Sequence, residues 1–429
     1  MQLTRHSSTK AATVIALASS ALLASDDSQS ANSRQWSTQT AVLSYSENGR
    51  ISVNQGLIQV EGASSENTIN VKLGYDVVSG ASENGAVPTA EPQTFTSPSG
   101  VVDEQTAANE RPSYTIDRHP RQEVSLGFSQ NLNRYYSVSL SGRYSTEATY
   151  ISRSVGLGNS YYSNNKNTQW TLSLNYEDAS IRPYGGAALA GARVISRADF
   201  ASEEAFEQQW QQLHSETHKA RNTTSINAAV NQIISRNALA QVSYQYSHSR
   251  GYHNDSQKMV SVIDAAGDSL YNRYEVRPEQ RQRHSAFARL LWHFAGGRVL
   301  DTGFRFYTDN WGVRSHTLSA GVQFELGSNW RVEPQLRWYQ QEAADFFSQA
   351  LRDNQTPFFS ADYRLAPTTN ITYGINADYQ LGKNQYLSLR LAYYQMSPEQ
   401  NPDALPGYLN TVDLTPDVDA TLLSISYAF

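Results

Sequence analysis

Residues 371–381 read ITYGINADYQL, and every second side chain in this stretch is apolar. Ile371, Tyr373 and Ile375 begin the series, which continues to Leu381 with polar or small residues between its members. Successive side chains of a β-strand point to opposite faces, so this pattern predicts a strand with one apolar face and one polar face.

The same period of two recurs in residues 69–77, 170–176, 318–326 and 387–393. The alternating runs last about nine to eleven residues, which exceeds the usual soluble strand of about five or six and suits a tilted membrane strand. Aromatic residues cluster near the predicted strand ends, where membrane barrels carry interfacial girdles. In lipid every backbone polar group must be paired within the protein, so membrane strands require a closed barrel.

Seventeen segments of the chain have this strand pattern. They are residues 36–46, 50–61, 67–79, 121–131, 134–145, 148–158, 167–177, 222–234, 237–248, 281–295, 299–308, 314–326, 330–341, 357–365, 369–381, 385–395 and 419–429. Bacterial single-chain barrels have an even number of strands, so at least one segment must be wrong. We predict an all-β protein, a transmembrane antiparallel up-and-down β-barrel of about sixteen strands, within a range of about fourteen to eighteen.

The predicted connections fall into a short class and a long class, as in barrels with short periplasmic turns and long extracellular loops. The long connections are residues 80–120, 178–221, 249–280, 342–356 and 397–418. Short and long connections alternate from residue 67 to residue 356 and then cease to alternate. We therefore expect the wrong strand to lie after residue 356.

The first thirty residues have the character of a secretory signal peptide. Arg5 and Lys10 precede an apolar run over residues 11–24, and small residues near Ser28 and Ser30 suit cleavage. The run is shorter than the roughly 20 residues that a membrane-spanning helix needs. We predict a signal peptide over residues 1–30, a single barrel domain over residues 31–429, and location in the cell outer membrane.

Composition excludes several other classes of protein. Charged residues make up 17% of the 429-residue chain, below the roughly 25% of soluble domains. The formal net charge is −6 and no basic stripe is present, so no nucleic-acid partner is expected. The chain has no cysteine, which rules out disulfides and thiolate metal sites, and we expect no cofactor.

The chain ends in ATLLSISYAF, residues 420–429. Leu423, Ile425, Tyr427 and Phe429 share one face of this segment. It resembles the terminal signal of outer-membrane proteins, in which a final Phe follows a Tyr two residues earlier. The resemblance implies two partners for the chain, the barrel-assembly machinery, with Tyr427 and Phe429 as the assembly signal, and outer-membrane lipid.

Five further passages resemble an uncharacterised family of Gram-negative outer-membrane β-barrels that carries a domain-of-unknown-function label. They are SGASENG at residues 79–85, PQTFTSPSG at 92–100, YTDNWG at 307–312 running into SHT at 315–317, YQQ at 339–341 with AADF at 343–346, and SADYRL at 360–365. The resemblance implies the barrel and its location, and it implies no established activity. It also implies a redox context, since members lie beside periplasmic thioredoxin-like and flavin-transfer proteins.

If the apolar residues face lipid, a set of mostly charged residues must line the lumen. The predicted lumen-lining residues are Lys72, Asp76, Arg289, His293, Arg305, Gln323, Glu325, Arg331, Glu333, Arg337, Asp362, Arg364, Asp378 and Arg390. Acids and bases on neighbouring strands allow two interpretations. They create a transverse field in an open pore, as in diffusion channels, or they pair and fill a narrow interior.

The connection 178–221 holds a helix-like stretch, because Phe206, Trp210 and Leu213 recur at helical spacing. It is either a surface helix packed on the barrel rim or a lid folded into the mouth. His214 and His218 are four residues apart on the same stretch, which makes them weak candidates for a shared metal ion. We otherwise expect no metal.

Ser315, His316 and Asp309 bring together the residue types of a hydrolase. Adjacent strand residues point to opposite faces, so Ser315 and His316 are poorly placed to act as nucleophile and base. Asp309-Asn310 with Gly312 is turn chemistry instead, and we expect no catalytic residues here.

The sequence favours an outer-membrane barrel that acts as a channel or transport barrel for small polar solutes. The alternative is a structural or partner-binding barrel that docks a periplasmic or surface protein, possibly linked to redox chemistry. An outer-membrane hydrolase is the least favoured reading. Fold alone does not decide among them.

Overall fold

The computed structural model describes residues 34–214, 216–294, 296–352, 357–400 and 404–429. The proposed signal peptide over residues 1–30 lies outside them and stays a prediction. In chain order the elements are β1 (Gln35–Glu47), β2 (Ile51–Ala63), β3 (Asn67–Glu83), β4 (Gln93–Thr96), β5 (Asp103–Thr106), β6 (Ser113–Asn133), β7 (Tyr136–Thr146), β8 (Tyr150–Ser163), β9 (Thr168–Ile181), α1 (Glu203–Leu213), β10 (Lys219–Ser235), β11 (Ala238–Gly251), β12 (Met259–Ile263), β13 (Ser269–Tyr274), β14 (Gln280–Phe294), β15 (Arg298–Asp309), β16 (Arg314–Leu326), β17 (Trp330–Gln341), β18 (Thr368–Gly382), β19 (Gln385–Pro398) and β20 (Val418–Ala428).

Sixteen of these strands form one closed antiparallel barrel in which each strand pairs with its neighbours in the chain order. The hairpins β4–β5 and β12–β13 stand outside it as separate two-stranded sheets. β20 pairs with β1 from Gln39 opposite Ala428 to Glu47 opposite Ala420, which closes the ring. The predicted up-and-down barrel of sixteen strands is therefore confirmed.

The outer surface of the barrel is a band of exposed apolar side chains. On β9, Trp170, Leu172, Leu174 and Tyr176 are between 44% and 55% exposed. The residues between them, such as Ser173, face the lumen because side chains alternate along a strand. An exposed apolar surface of this extent suits hydrocarbon and not water.

Tyr427 and Phe429, the two aromatic residues that end the chain's last segment, lie on this outer surface. Tyr427 and Phe429 follow the exposed Leu423 and Ile425 at steps of two, and their rings stack with centroids 5.3 Å apart. The backbone of Phe429 exchanges hydrogen bonds with Thr38 on β1. Recognition of this end by the barrel-assembly machinery stays a prediction.

One predicted strand is wrong. Residues 357–365, which include the predicted lumen-lining Asp362 and Arg364, form no barrel strand and belong to the connection between β17 and β18. Their apolar residues alternate because they pack into loop clusters: Phe359 is 1% exposed and Leu365 is 5% exposed. With this segment removed, the long connections recur at one end of the barrel throughout the chain.

Five long connections leave the same end of the barrel, which we call the loop end. They are residues 84–112, 182–218, 252–279, 342–367 and 399–417. The described connections at the opposite end are tight turns, such as residues 134–135 and 236–237. Long loops are typical of the extracellular end of such barrels.

The five loops pack together into one structure, which we call the cap. Val87, Ile263, Ala350 and Leu409 come from four different loops and form a single buried cluster. The amide of Val87 donates to Ser261 Oγ at 2.9 Å. These two loops leave the barrel six strands apart in a ring of sixteen, so chain from opposite walls meets across the mouth.

A glycine is required where two cap loops approach most closely. Gly85 has a φ of +93°, and a Cβ there would lie 2.5 Å from the carbonyl oxygen of Met259. Asn84 beside it is fully buried, and its carbonyl accepts from the Met259 amide at 2.8 Å. The turn signal at Asn84-Gly85 thus marks a crossing of two loops.

α1 begins after Ser202, whose hydroxyl accepts from the Ala205 amide, and it buries Phe206 and Trp210. The Trp210 ring lies against Gly100 of the first loop, so the helix packs within the cap. No helix among the described residues is long and apolar enough to cross a bilayer.

Candidate functional site: the lumen beneath the cap

The strand registers place twelve of the fourteen predicted lumen residues on the barrel face opposite the apolar band. For example, the outward Leu318 pairs with Trp338, and the inward Ser319 pairs with Arg337. Asp362 and Arg364 are the two exceptions, because they lie in the cap.

Several lumen charges form ion pairs between neighbouring strands. Glu123 on β6 contacts Arg143 on β7 at 2.6 Å and Lys72 on β3 at 3.6 Å. Arg121 contacts Asp76 across the same strand pair at 2.9 Å. The contacts run along the wall and not across the barrel, so they do not fill the interior.

The basic side chains in these ion pairs remain open to solvent. The side chains of Lys72, Arg143 and Arg289 are 38%, 39% and 40% exposed, although each is in an ion pair. Arg337 and Arg390 on the same face are also exposed. Barrels of about sixteen strands are wide enough to leave an aqueous channel. The exposures match such a channel better than a packed network of charges.

Two cavities adjoin each other in the lumen near the loop end. One of about 460 Å³ lies against β9, β10, β11, β14 and β15, and one of about 560 Å³ lies against β14 to β17. Arg281, Arg305 and Tyr307 line both cavities, which are therefore neighbours in the lumen. We call the two cavities together the arginine recess, after Arg221, Arg281, Arg283, Arg305 and Arg337 in its walls.

One of these five arginines has a carboxylate partner in the described part of the chain. Arg281 contacts Asp309 Oδ2 at 2.6 Å and lies over the Trp311 ring. Arg221 donates to the Tyr150 hydroxyl at 3.1 Å, and that hydroxyl in turn donates to Glu177.

The remaining three guanidinium groups lack a carboxylate at ion-pair distance among the described residues. Arg305 and Arg337 lie over the rings of Phe287 and Tyr339. Arg283 donates to Ser247 Oγ at 3.3 Å, and its Nε is buried with no hydrogen-bond partner in the described residues.

His253 covers the loop end of the recess in its neutral form. Its Nδ1 lies 2.9 Å from the Gly251 carbonyl, which can only accept, so Nδ1 carries the hydrogen and Nε2 accepts from Ser249 Oγ at 2.9 Å. Burial, aided by Arg221 and the other arginines nearby, lowers the pKa of His253 to about 4. Sequence reasoning did not anticipate this serine–histidine contact. Ser249 is 1% exposed, so its oxygen is not open to a substrate.

Above the recess, the cap contains a partly buried cluster of ionisable residues, which we call the cap ion cluster. It consists of Asp255, Lys258, Glu275, Arg277, Asp362 and Arg364. Arg277 lies between Glu275 and Asp362 at 2.7 Å from each, and Arg364 lies between Asp362 at 2.6 Å and Asp255 at 2.9 Å. Three cations balance three carboxylates.

Burial disfavours the ionised forms of the residues in this cluster, and the ion pairs offset that cost. Asp362 is 1% exposed, yet Arg364 and Arg277 outweigh its burial and hold its pKa well below the usual range. Burial lowers the pKa of Lys258, which donates to Ser82 Oγ at 3.0 Å. The predicted site residues Asp362 and Arg364 therefore fasten the cap and do not line the barrel wall.

The two candidate metal-binding histidines do not share a helical face, because α1 ends at Leu213. His214 instead stacks on Trp210, with ring centroids 3.9 Å apart, and burial lowers its pKa. His218 lies just before β10. No three His, Asp or Glu side chains in the described ranges are grouped to hold a metal ion.

Ser315 and His316 point to opposite sides of β16. Ser315 lines the recess, whereas the His316 ring lies outside against Phe306 at 5.2 Å. Asp309 Oδ1 accepts from the amides of Trp311 and Val313, which is the predicted turn chemistry. These residues do not form a catalytic triad.

Comparison with protein families gives one match along almost the whole chain. Residues 9–429 match the family described as a protein of unknown function, DUF3570. The chain belongs to this family. The match agrees with the resemblance seen in the loop and turn motifs.

Several solved structures are similar to this member of the DUF3570 family. The siderophore receptor PirA from Acinetobacter baumannii is 11% identical, with a TM-score of 0.44, over 86% of this chain and 54% of its own. The chain therefore spans about half the length of that receptor. A bacterial polysaccharide outer membrane secretin is 8% identical, with a TM-score of 0.47, and the match covers 94% of this chain and 99% of the secretin chain. The outer membrane protein OpdK from Pseudomonas aeruginosa is 9% identical, with a TM-score of 0.40, and the match covers 92% of this chain and 99% of the OpdK chain. No curated protein matches the sequence.

Proposed function

We propose that this DUF3570 protein is an outer-membrane channel for small polar solutes whose extracellular mouth is covered by the cap. The observation that carries the proposal is the solvent exposure of ion-paired lumen side chains, 38–40% for Lys72, Arg143 and Arg289. A lumen closed by its own side chains would bury such pairs.

The packing of the cap favours a restricted entrance for solutes on the extracellular side. Loops from opposite walls meet through backbone hydrogen bonds, as between Met259 and Asn84, and through shared apolar clusters. Solute passage would then depend on cap loops moving apart, and such motions of a packed segment take microseconds to seconds.

The absence of native cysteine gives a direct test, since one introduced thiol is the sole reactive site. Asn227 lies on the lumen face of β10 opposite Gln245, and its neighbour Ile226 faces outward and is 44% exposed. Asn227→Cys and Ile226→Cys are incorporated into planar bilayers and treated with a charged, membrane-impermeant thiosulfonate.

We expect stepwise conductance for both variants and a reduced step after treatment of Asn227→Cys alone. Ile226→Cys is the matched control, one residue away on the lipid face. Bilayers that stay sealed, even after proteolytic trimming of the cap, would contradict the channel.

A partner-binding barrel is the second candidate, favoured by apolar side chains on the outside of the cap. Val101 and Val102 are 71% and 56% exposed, and Leu189 and Leu270 are 61% and 57% exposed. A surface protein docked there would cover them. Sealed bilayers together with specific capture of one partner would favour this function.

A further inference from the structure

We propose that the arginine recess is a binding site for small oxyanions, meaning solutes that carry a carboxylate or phosphate group. The inference rests on the proposed channel for its transport role, because the bound solute would lie on the route through the lumen. It does not need the channel for the binding itself.

The charge balance of the recess points to an anion. Among the described residues, five guanidinium groups face two carboxylates, Glu177 in the lining and Asp309 behind Arg281. The described lining of the cavity on the β16–β17 side contains no acidic side chain. A surplus of positive charge in a low-dielectric wall attracts anions and repels cations.

The surplus charge is available to a ligand. Arg305 and Arg337 are exposed to the lumen, and each lies over an aromatic ring. Arg283 has a buried Nε without a partner in the described residues. A buried donor without a hydrogen bond is unfavourable, and a bound oxyanion within reach of it would remove that cost.

The spacing of donors suits a small oxyanion. Arg281 and Arg283 project from one face of β14, two residues apart, which places their Cα atoms about 7 Å apart. The Ser247 hydroxyl accepts from Ser225 Oγ at 3.0 Å and from Arg283 at 3.3 Å, which leaves its own hydrogen as a neutral donor in the same cavity. Guanidinium groups bind carboxylate and phosphate oxygens in pairs, which gives orientation as well as affinity.

Inorganic phosphate and malonate are the probes, and titration calorimetry of the full-length protein in detergent measures their binding. Loss of one charge-assisted hydrogen bond costs about 1.5–3 kcal/mol, so we expect Arg283→Gln and Arg305→Gln each to weaken binding about tenfold or more. Arg236→Gln is the matched control, because it removes one positive charge from the turn at the opposite end. Its affinity should equal that of the native protein.

Bilayer recordings separate the site from the channel. If the anion site and the channel are both correct, a potassium chloride gradient gives an anion-selective reversal potential. Phosphate then lowers the chloride current through the native protein, and it does so less in Arg305→Gln. Binding without conductance would leave the site standing and overturn the channel. Conductance with equal phosphate affinity in all three variants, or with no measurable phosphate binding, would overturn the site.

Discussion

Replacing Asp362 by asparagine is expected to loosen the cap and leave the barrel intact. Asp362 is the shared partner of Arg277 and Arg364 in the cap ion cluster, and it is 1% exposed. Asparagine keeps the size of the side chain and removes its charge. The cluster would then hold three cations and two carboxylates.

The expected cost follows from what the lost carboxylate leaves behind. The side chain of Arg364 is 55% exposed and can turn to water, whereas that of Arg277 is 10% exposed and Lys258 is 3% exposed. Breaking a buried pair by removing one partner costs about 3–5 kcal/mol. At about 1.4 kcal/mol per factor of ten, the open form of the cap should become at least a hundredfold more populated.

Limited proteolysis and electrophoresis together test this prediction. The loops of Asp362→Asn should be cut much faster than those of the native protein, because cleavage follows the population of the open form. The heat-modifiable band of the folded barrel should be unchanged. Asp268→Asn, in an exposed position of the same cap, is the control and should be cut at the native rate. Equal cleavage of the native protein and Asp362→Asn would refute the role of the ion cluster.

Three more predictions concern the wall, the cap and the recess. Leu174→Lys on the lipid face should destabilise the barrel by about 2–4 kcal/mol in urea unfolding from liposomes, whereas Ser173→Lys on the lumen face should cost little. Trp311→Ala should cost about 3–5 kcal/mol in thermal unfolding of the cap, since Trp311 is 2% exposed and packs on Phe346; a loss below about 1 kcal/mol would count against that packing. The pKa of His253, about 4 in the native protein, should rise in Arg283→Gln and on phosphate binding, as measured by NMR of labelled histidine. Because this pKa lies below its unfolded value, the contribution of His253 to stability should fall as the pH drops from about 6.5 toward 4. An unchanged pKa in Arg283→Gln would contradict the influence of the arginines on His253.

The barrel was predictable because lipid imposes a simple rule on the sequence. Each spanning strand must show apolar side chains at alternate positions, as in residues 170–176, and the rule holds whatever the strand's neighbours are. The end of the strand is less constrained. β6 runs from Ser113 to Asn133, well beyond the predicted 121–131, because its first residues pair with β3 outside the apolar band.

The wrong strand shows the limit of the same rule. Residues 357–365 alternate like a membrane strand, but Phe359 pairs by an isolated bridge with Val276 and is buried by cap residues. Apolar residues at every second position indicate that one face of a segment is apolar, but they do not indicate whether that face contacts lipid or other loops. Pairing partners distinguish the two, and they are set by the tertiary structure.

The recess and the cap ion cluster were only partly predictable. Parity along a strand indicated that Arg305 and Arg337 face inward, but it could not show which arginines lack carboxylates. Lys258 and Glu275 lie in a long loop, where charged residues are usually solvated, so the sequence does not indicate their burial. Their burial depends on contacts between loops more than 80 residues apart, such as that of Arg277 with Asp362.

The shared construction of the cap constrains how members of this family can diverge or be engineered. In the described part of the chain, no loop completes a core by itself: Val87 needs Ile263, Ala350 and Leu409, and Lys258 donates to the Glu83 carbonyl, 175 positions away. Grafting a single foreign loop would remove partners from the loops it packs against, so surface display or antigen design on this scaffold should exchange the whole set at once.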